Sequence, residues 1–302
     1  MPAARGASQP ESGRGGDSPI RLSAYPTLRE QPVADPAVPR MELRDWAERY
    51  GVVAGITTRG SGRGFSLGLW SEENVGQVMT RWRALRAAFR PAFSGLVLSH
   101  QIHGTTVQWH RAGQEGWLIL DGVDGHATGS PGVLLTVTVA DCIPVYLVAP
   151  KQRVVALLHA GWRGTAGGML QQGVELLRRE AFVTAPELVM HCGVGICGSC
   201  YEVGSEVLER LTPGRSPGVN RLEEGLETPP GTPGHRPGVS RPGDPADHVD
   251  LRGVLVRQAA ELGITGVSVS PWCSAHDREH FFSHRASGGR DGRMIAYLGV
   301  PA

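Results

Sequence analysis

The chain carries almost no excess charge of either sign. Its 302 residues include 30 basic and 29 acidic side chains, a formal net charge of +1. Proteins that hold a nucleic-acid backbone through counterion release show a basic surplus or stripe, so no nucleic-acid partner is expected. No run of about 18 apolar residues occurs, so no membrane span is expected. No apolar stretch follows a basic start, which argues against a secretory signal. Aromatic residues are scarce, at 6%, whereas hydrophobic residues overall reach 40%. A sizeable core is therefore expected, filled mostly by aliphatic side chains. The cysteines number five, an odd count that does not suggest a disulfide framework. A reducing, cytoplasmic setting is expected, where cysteines serve more often as ligands or reactive thiols.

The patterning suggests one domain. Residues 1–45 read as a disordered tail rich in Gly, Pro, Ser and Arg, with too little apolar surface to offset the entropy of ordering. Residues 46–302 read as a single catalytic domain, interrupted at about 213–247 by a Pro/Gly-rich insertion with repeated pairs such as Pro213-Gly214, Pro217-Gly218 and Pro237-Gly238. Ser71, followed by Glu72 and Glu73, can cap a helix on which Val75, Met79, Trp82, Leu85 and Phe89 recur at helical spacing. Residues 133–139, 143–148 and 154–158 are β-branched or aliphatic runs and predict three successive strands. A helix is expected after Gly164, through Met169, Leu170, Val174 and Leu177, and another over residues 251–262, stopped by Gly263. Late strands are expected at 267–269 and 294–298. Strands that follow one another this closely favour an α+β sandwich with mixed sheets over a doubly wound parallel sheet.

Three short segments each offer one metal ligand: His103 in Gln101-Ile102-His103-Gly104, Cys142 after Ala140-Asp141, and His159 before Ala160-Gly161-Trp162-Arg163-Gly164. Two imidazoles and a thiolate suit a borderline ion such as zinc, and three protein ligands leave a position open for water or substrate. Gly161, Gly164, Gly167 and Gly168 permit close backbone approach, and Arg163 adds a guanidinium that suits an oxyanion. Cys192, Cys197 and Cys200 invite an iron–sulfur or zinc reading. A fourth ligand would have to be Cys273 or the already assigned Cys142, so buried or partly buried thiols near the pocket are the expectation.

Several segments occur in a telling order. They are Leu98-Ser99-His100-Gln101-Ile102-His103-Gly104, Asp124-Gly125-His126-Ala127-Thr128 and Val139-Ala140-Asp141-Cys142-Ile143-Pro144-Val145. His159-Ala160-Gly161-Trp162-Arg163-Gly164, Cys200-Tyr201-Glu202-Val203-Gly204 and Phe281-Phe282-Ser283-His284-Arg285 follow. The set resembles the family once labelled multicopper polyphenol oxidase or laccase domain, now described as purine nucleoside phosphorylase-like and including proteins named peptidoglycan editing factor. The resemblance covers about residues 50–300 apart from the insertion. It departs at Val194, where proline is usual, at His284, where tyrosine is usual, and at Ala286, where a second arginine is usual.

The resemblance implies that His103, Cys142 and His159 bind one zinc ion, and that Arg59 and Asn74 belong to the same pocket. It implies a layered α-β-β-α arrangement, similar to that of a toxin family with a catalytic Cys–His pair. It also implies phosphorolysis of adenosine, inosine, guanosine and methylthioadenosine to free base and ribose 1-phosphate, with adenosine deamination at the same site. Arg59 and Arg163 would then orient phosphate, and His100 and Asp141 are the acid–base candidates. Purine nucleosides and phosphate are the expected partners, with a monomer or homodimer as the assembly.

Three other readings compete. A multicopper oxidase typically uses His-x-His pairs, and the 11 histidines form none. Copper would nevertheless occupy the triad adventitiously, because it binds such donors more tightly than zinc. Cys142 could instead act as a thiolate nucleophile, or zinc-activated water could serve, in an amide hydrolase acting on peptidoglycan precursors. A non-catalytic binding module is the third reading, against which the open coordination position and nearby arginines argue.

Overall fold

The computed structural model describes residues 25–62, 64–111, 115–212 and 247–302. The first elements are β1 (Gln31–Pro32), β2 (Arg40–Glu42), α1 (Arg44–Tyr50), β3 (Val53–Thr57) and α2 (Val75–Phe89). Five strands follow: β4 (Gly95–His100), β5 (Val107–His110), β6 (Gly116–Asp121), β7 (Gly125–Thr128) and β8 (Val133–Val139). The centre of the chain holds β9 (Ile143–Ala149), β10 (Val154–Ala160), α3 (Trp162–Ala166), α4 (Met169–Ala181) and β11 (Val189–Cys192). The remainder comprises β12 (Glu202–Val203), α5 (Ser205–Leu211), β13 (Asp247–His248), α6 (Leu251–Leu262), β14 (Gly266–Val269), α7 (His284–Ser287) and β15 (Met294–Gly299).

Two mixed sheets face each other. One has the order β1-β2-β3-β15-β8-β4-β6, and the other β14-β11-β9-β10-β7-β5. Alternation along each strand explains how they pack. Leu135 and Val137 of β8 meet Tyr146 and Val148 of β9 and Val155 and Leu157 of β10 between the sheets. The opposite faces of β9 and β10, through Val145, Leu147, Ala156 and Leu158, pack on Leu170 and Leu177 of α4 and Leu255 of α6. On the other side Leu134, Leu96 and Tyr297 pack on Val78, Trp82, Leu85 and Phe89 of α2. Helix, sheet, sheet and helix thus form the α-β-β-α sandwich. Strands covered on both faces need no polar alternation, which is why 143–148 and 154–158 read as continuous apolar runs.

The tail boundary expected at residue 45 falls too late. Residues 1–24 lie outside the described residues, but from Tyr25 onward the chain joins the fold. Leu28 donates its N–H to Val269 O at 3.0 Å. Glu30 is fully buried between His191 Nε2, at 3.2 Å, and the Ser270 hydroxyl, which donates to it at 2.7 Å. Val38, Met41 and Leu43 are buried as well. A Pro-rich composition masked these few anchoring side chains. The Pro/Gly-rich insertion lies outside the described residues except for Asp247, which opens β13.

Two helix boundaries also move. Asn74, not Ser71, caps α2, its side chain accepting Gln77 N–H at 3.2 Å. Ser71 instead donates to Gly68 O at 2.7 Å. The helix expected after Gly164 is split into α3 and α4, because Gly168 sits at φ +85°, outside the helical region. Among the described residues no helix is long and apolar enough to cross a membrane.

Candidate metal centre

The three predicted ligands meet at one end of the sandwich. His103 lies in the loop after β4, Cys142 in the turn between β8 and β9, and His159 near the end of β10. Their ligand atoms all lie within 4.8 Å of one another. The two imidazoles stand nearly perpendicular, with ring centroids 4.9 Å apart and planes at 69°. Antiparallel pairing of β9 with β10 sets His159 opposite Pro144 and Ala160 opposite Ile143, which holds Cys142 beside the end of β10.

A residue without an assigned role in the sequence analysis organises this triad. Asp124, fully buried, accepts the backbone N–H groups of Ile102, His103 and Gly104 at 3.1, 2.9 and 2.8 Å. The same carboxylate lies 2.9 Å from His159 Nδ1. That ring nitrogen donates to Asp124, which leaves Nε2 as the ligand atom. A carboxylate behind a metal-binding histidine fixes its tautomer and raises its basicity. His103 needs this grip, since it holds φ +60°, a costly conformation for a non-glycine residue. Gln101 adds a second anchor by pairing with β8: its amide donates to Thr138 O at 2.9 Å and accepts Thr138 N–H at 2.6 Å.

The electrostatics suit a thiolate. Burial opposes ionisation of Cys142, but His159 and His103 outweigh it and bring its pKa down from 9.0 to about 6. Burial likewise opposes charge on His159, yet Cys142 and Asp124 raise its pKa from 6.5 to about 9. The pair therefore rests as thiolate and imidazolium, and a cation that replaced the shared proton would meet a ready anionic sulfur. Gly161 makes the approach feasible. A Cβ there would stand 2.9 Å from Cys142 Sγ and 3.2 Å from His103 Cδ2. Two imidazoles and one thiolate on separate, rigid supports fit a borderline divalent ion.

The triad lines a cavity of about 520 Å³, within the usual range for small-molecule sites of about 300–1,000 Å³. Its walls include Trp70, His100, Trp162, Arg163, Tyr201, Arg285 and Arg293. His100 stacks on Trp70, with centroids 5.0 Å apart, and its Nδ1 lies 2.8 Å from Asp121. The Arg163 guanidinium lies over the Trp162 ring at 4.5 Å and makes no hydrogen bond or ion pair with a described residue. Asp141 also lines the cavity, at φ +87°, but both of its oxygens are engaged. Ser274 Oγ donates to one and Arg285 N–H to the other, each at 2.6 Å.

Two expected pocket residues do not line this cavity. Arg59 is held by Asp291 at 2.5 Å, and its guanidinium lies over Phe282 at 4.4 Å. Asn74 is occupied as the cap of α2. Arg285 and Arg293 supply cationic groups there instead, from the C-terminal segment where the family pattern was least exact. Both lie in or next to segments that carry the family resemblance, but spacing alone could not place them in this cavity, since they are far along the chain from Cys142 and His159. Asp124 was legible as part of the Asp124-Gly125-His126 segment, but its role depends on a backbone turn that spacing does not reveal.

The cysteine cluster differs from the expectation. Cys192 is buried apart, its pKa raised to about 12 by burial. Cys197 and Cys200 instead meet Cys273 and His276, with ligand atoms within 4.8 Å of one another.

The chain belongs to the family described as multi-copper polyphenol oxidoreductase laccase, whose family model matches residues 53–301. A relative named purine nucleoside phosphorylase YlmD, from Geobacillus stearothermophilus, is 30% identical over 283 residues, covering 87% of this chain and 97% of that one. A protein named adenosine deaminase RL5, from an unknown prokaryotic organism, is 32% identical over 178 residues, covering 58% and 62% of the two chains. The crystal structure of the Geobacillus YlmD matches the present fold with a TM-score of 0.73 at 28% identity, covering 89% of this chain and 98% of that one.

Proposed function

We infer that this chain is a zinc-dependent purine nucleoside phosphorylase that also deaminates adenosine. The substrates are adenosine, inosine, guanosine and methylthioadenosine, and the phosphorolysis products are free base and ribose 1-phosphate. The observation that carries the reading is the meeting of His103, Cys142 and His159 in a cavity that also exposes Arg163, whose guanidinium has no hydrogen-bond or ion-pair partner among the described residues. The names of the relatives support the substrate class. The laccase description fits less well. Among the described residues the groups of three or more candidate ligands are the triad, with two histidines, and the Cys197 cluster, with one, and neither supplies the several further histidines of a multicopper oxidase.

His103, Cys142 and His159 would hold the zinc, and Asp124 would keep His159 in the ligating tautomer. Zinc bound there supplies Lewis acidity beside the reacting purine or ribose. Trp70 and Trp162 offer aromatic faces for a purine. Arg163 holds phosphate for attack on C1′ as the bond from C1′ to the base breaks, and its fixed charge stabilises the transition state electrostatically. The departing base needs a proton. His100, oriented through Nδ1 by Asp121, would deliver one from Nε2 as the doubly protonated imidazolium. Asp141 is the weaker acid–base candidate because Ser274 and Arg285 occupy its carboxylate. Its part is to hold the turn that carries Cys142.

Chromatography of products from adenosine and zinc-loaded protein, with and without phosphate, tests the reading. Phosphate-dependent adenine and ribose 1-phosphate support phosphorolysis, and phosphate-independent inosine supports deamination. Neither product at full zinc occupancy would sink the nucleoside assignment. The thiolate–imidazolium pair of Cys142 and His159 favours a second reading, an amide hydrolase on a peptidoglycan precursor. A zinc-bound thiolate is a poor nucleophile. Amide cleavage by metal-free protein, lost on alkylation of Cys142, would therefore favour this alternative.

A further inference from the structure

The Cys197 cluster has the sequence signature of a closed zinc site. Cys197 and Cys200 are separated by Gly198 and Ser199, and Cys273 and His276 by Ser274 and Ala275. These are two short ligand knuckles, Cys-x2-Cys and Cys-x2-His, which is a donor set of structural zinc. The chain between them is long, with Cys200 and His276 lying 76 positions apart. The fold nevertheless joins the knuckles by a parallel bridge between Gly195 and Cys273, and Cys197 N–H donates to Cys273 Sγ at 3.3 Å. Cys200 Sγ lies 3.1 Å from His276 Nε2, and Cys197 Sγ lies 3.7 Å from His276 Nδ1.

We propose that Cys197, Cys200, Cys273 and His276 form a second, structural zinc site, which fastens the 196–200 turn to the 273–276 turn. The spacing of the donors favours a single ion. Thiolates about 2.3 Å from one tetrahedral centre lie roughly 3.8 Å apart. All four ligand atoms here fall within 4.8 Å of one another. Four protein donors fill a tetrahedral shell, so this site lacks the open position of the His103–Cys142–His159 centre. Its role is mechanical rather than chemical.

A hydrogen bond from the Cys200 thiol holds Cys197 far below the usual thiol range, and the Cys273 thiol adds to the effect. The same contacts push Cys200 far above that range and Cys273 up to about 11. A divalent ion would stabilise all three thiolates.

The site also bears on the metal centre. Ile196 N–H donates to Asp141 O at 2.9 Å, and Ser274 Oγ donates to the Asp141 carboxylate at 2.6 Å. Both knuckles therefore grip the residue beside Cys142. Loss of the second ion frees both partners of the Asp141–Cys142 turn.

Metal analysis of reduced, zinc-reconstituted protein tests the proposal independently of activity. Two equivalents of zinc are expected in the wild type, and one each in Cys142→Ser and Cys200→Ser. If Cys200→Ser fails to fold, Cys142→Ser carries the test, since its second site is intact. Substituted with cobalt(II), Cys142→Ser should show tetrahedral d–d bands and a charge-transfer band of three thiolates. A folded Cys142→Ser protein that binds no metal would overturn the proposal, as would wild-type stoichiometry in Cys200→Ser. Loss of two of the five thiols in denaturant, from a Cys197–Cys200 disulfide, would overturn it too. Zinc lost in Cys200→Ser but kept in Cys142→Ser would instead overturn the three-ligand centre and leave this site standing.

Discussion

Asp124 and His159 meet at 2.9 Å inside the sandwich, and the same carboxylate gathers the N–H groups of the loop that presents His103. One buried side chain thus positions two of the three ligands. Asp124→Asn keeps the volume but places an amide where four donors converge. Removing such an outer partner typically weakens metal binding about 10–100-fold. Zinc affinity of the variant, measured by competition with a chromophoric chelator, should fall by that amount. Unchanged affinity would show that Asp124 serves the fold alone.

Gly161 tests the close packing of the triad. Its φ of −77° is ordinary, so alanine is tolerated by the backbone, yet the new methyl would sit 2.9 Å from Cys142 Sγ. Gly161→Ala should lose the zinc of the three-ligand centre and both nucleoside activities while its circular dichroism spectrum stays that of the wild type. Full zinc occupancy in the variant would mean that the ligands approach from a different direction.

A chain of buried imidazoles near the triad sets an acid limit. Ser99 Oγ donates to Val123 O at 2.6 Å and so accepts His126 Nε2–H at 3.1 Å. His126 Nδ1 is then left to accept His110 Nε2–H, also at 3.1 Å. Burial lowers the pKa of His126 from 6.5 to about 3 and that of His110 from 6.5 to about 4. The unfolded chain takes up these protons near pH 6.5, and the folded chain only near 4 and 3. The stability they contribute is therefore complete above pH 6.5 and lost progressively as pH falls through that window. The melting temperature of the wild type should drop more between pH 7 and 4.5 than that of His110→Gln. Parallel curves would show that these histidines are not held neutral.

How much of this was legible beforehand divides along physical lines. Strands β8, β9 and β10 were readable because they are covered on both faces and so run continuously apolar. The convergence of His103, Cys142 and His159 was readable because each sits in a short, distinctive segment. Glu30 was not readable, since its pairing with His191 joins residues 161 positions apart. Cys273 was weighed as a fourth ligand and set aside, and His276 was missed for the same reason, although the Cys-x2-His spacing was present. Arg59 was expected to orient phosphate, but its ion pair with Asp291, far along the chain, was not readable from the sequence.

That last reassignment gives the sharpest test of the proposed function. Arg163 lines the cavity without a hydrogen-bonding or ion-pair partner among the described residues, stacked on Trp162, whereas Arg59 is tied to Asp291 outside it. A charge-assisted hydrogen bond contributes about 1.5–3 kcal/mol, which corresponds to roughly 10–100-fold in binding. Arg163→Ala should therefore raise the KM for phosphate by about that factor while leaving adenosine deamination, which uses no phosphate, close to wild type. Arg59→Ala should leave the phosphate KM nearly unchanged and lower the melting temperature, because it severs a partly buried ion pair and leaves the Asp291 carboxylate with only Ser283 N–H at 3.2 Å and Arg278 at 3.9 Å. Steady-state kinetics with varied phosphate, beside thermal melts of both variants, separates the two arginines. A large rise in phosphate KM in Arg59→Ala and none in Arg163→Ala would restore the assignment suggested by the family resemblance and move the phosphate site out of this cavity.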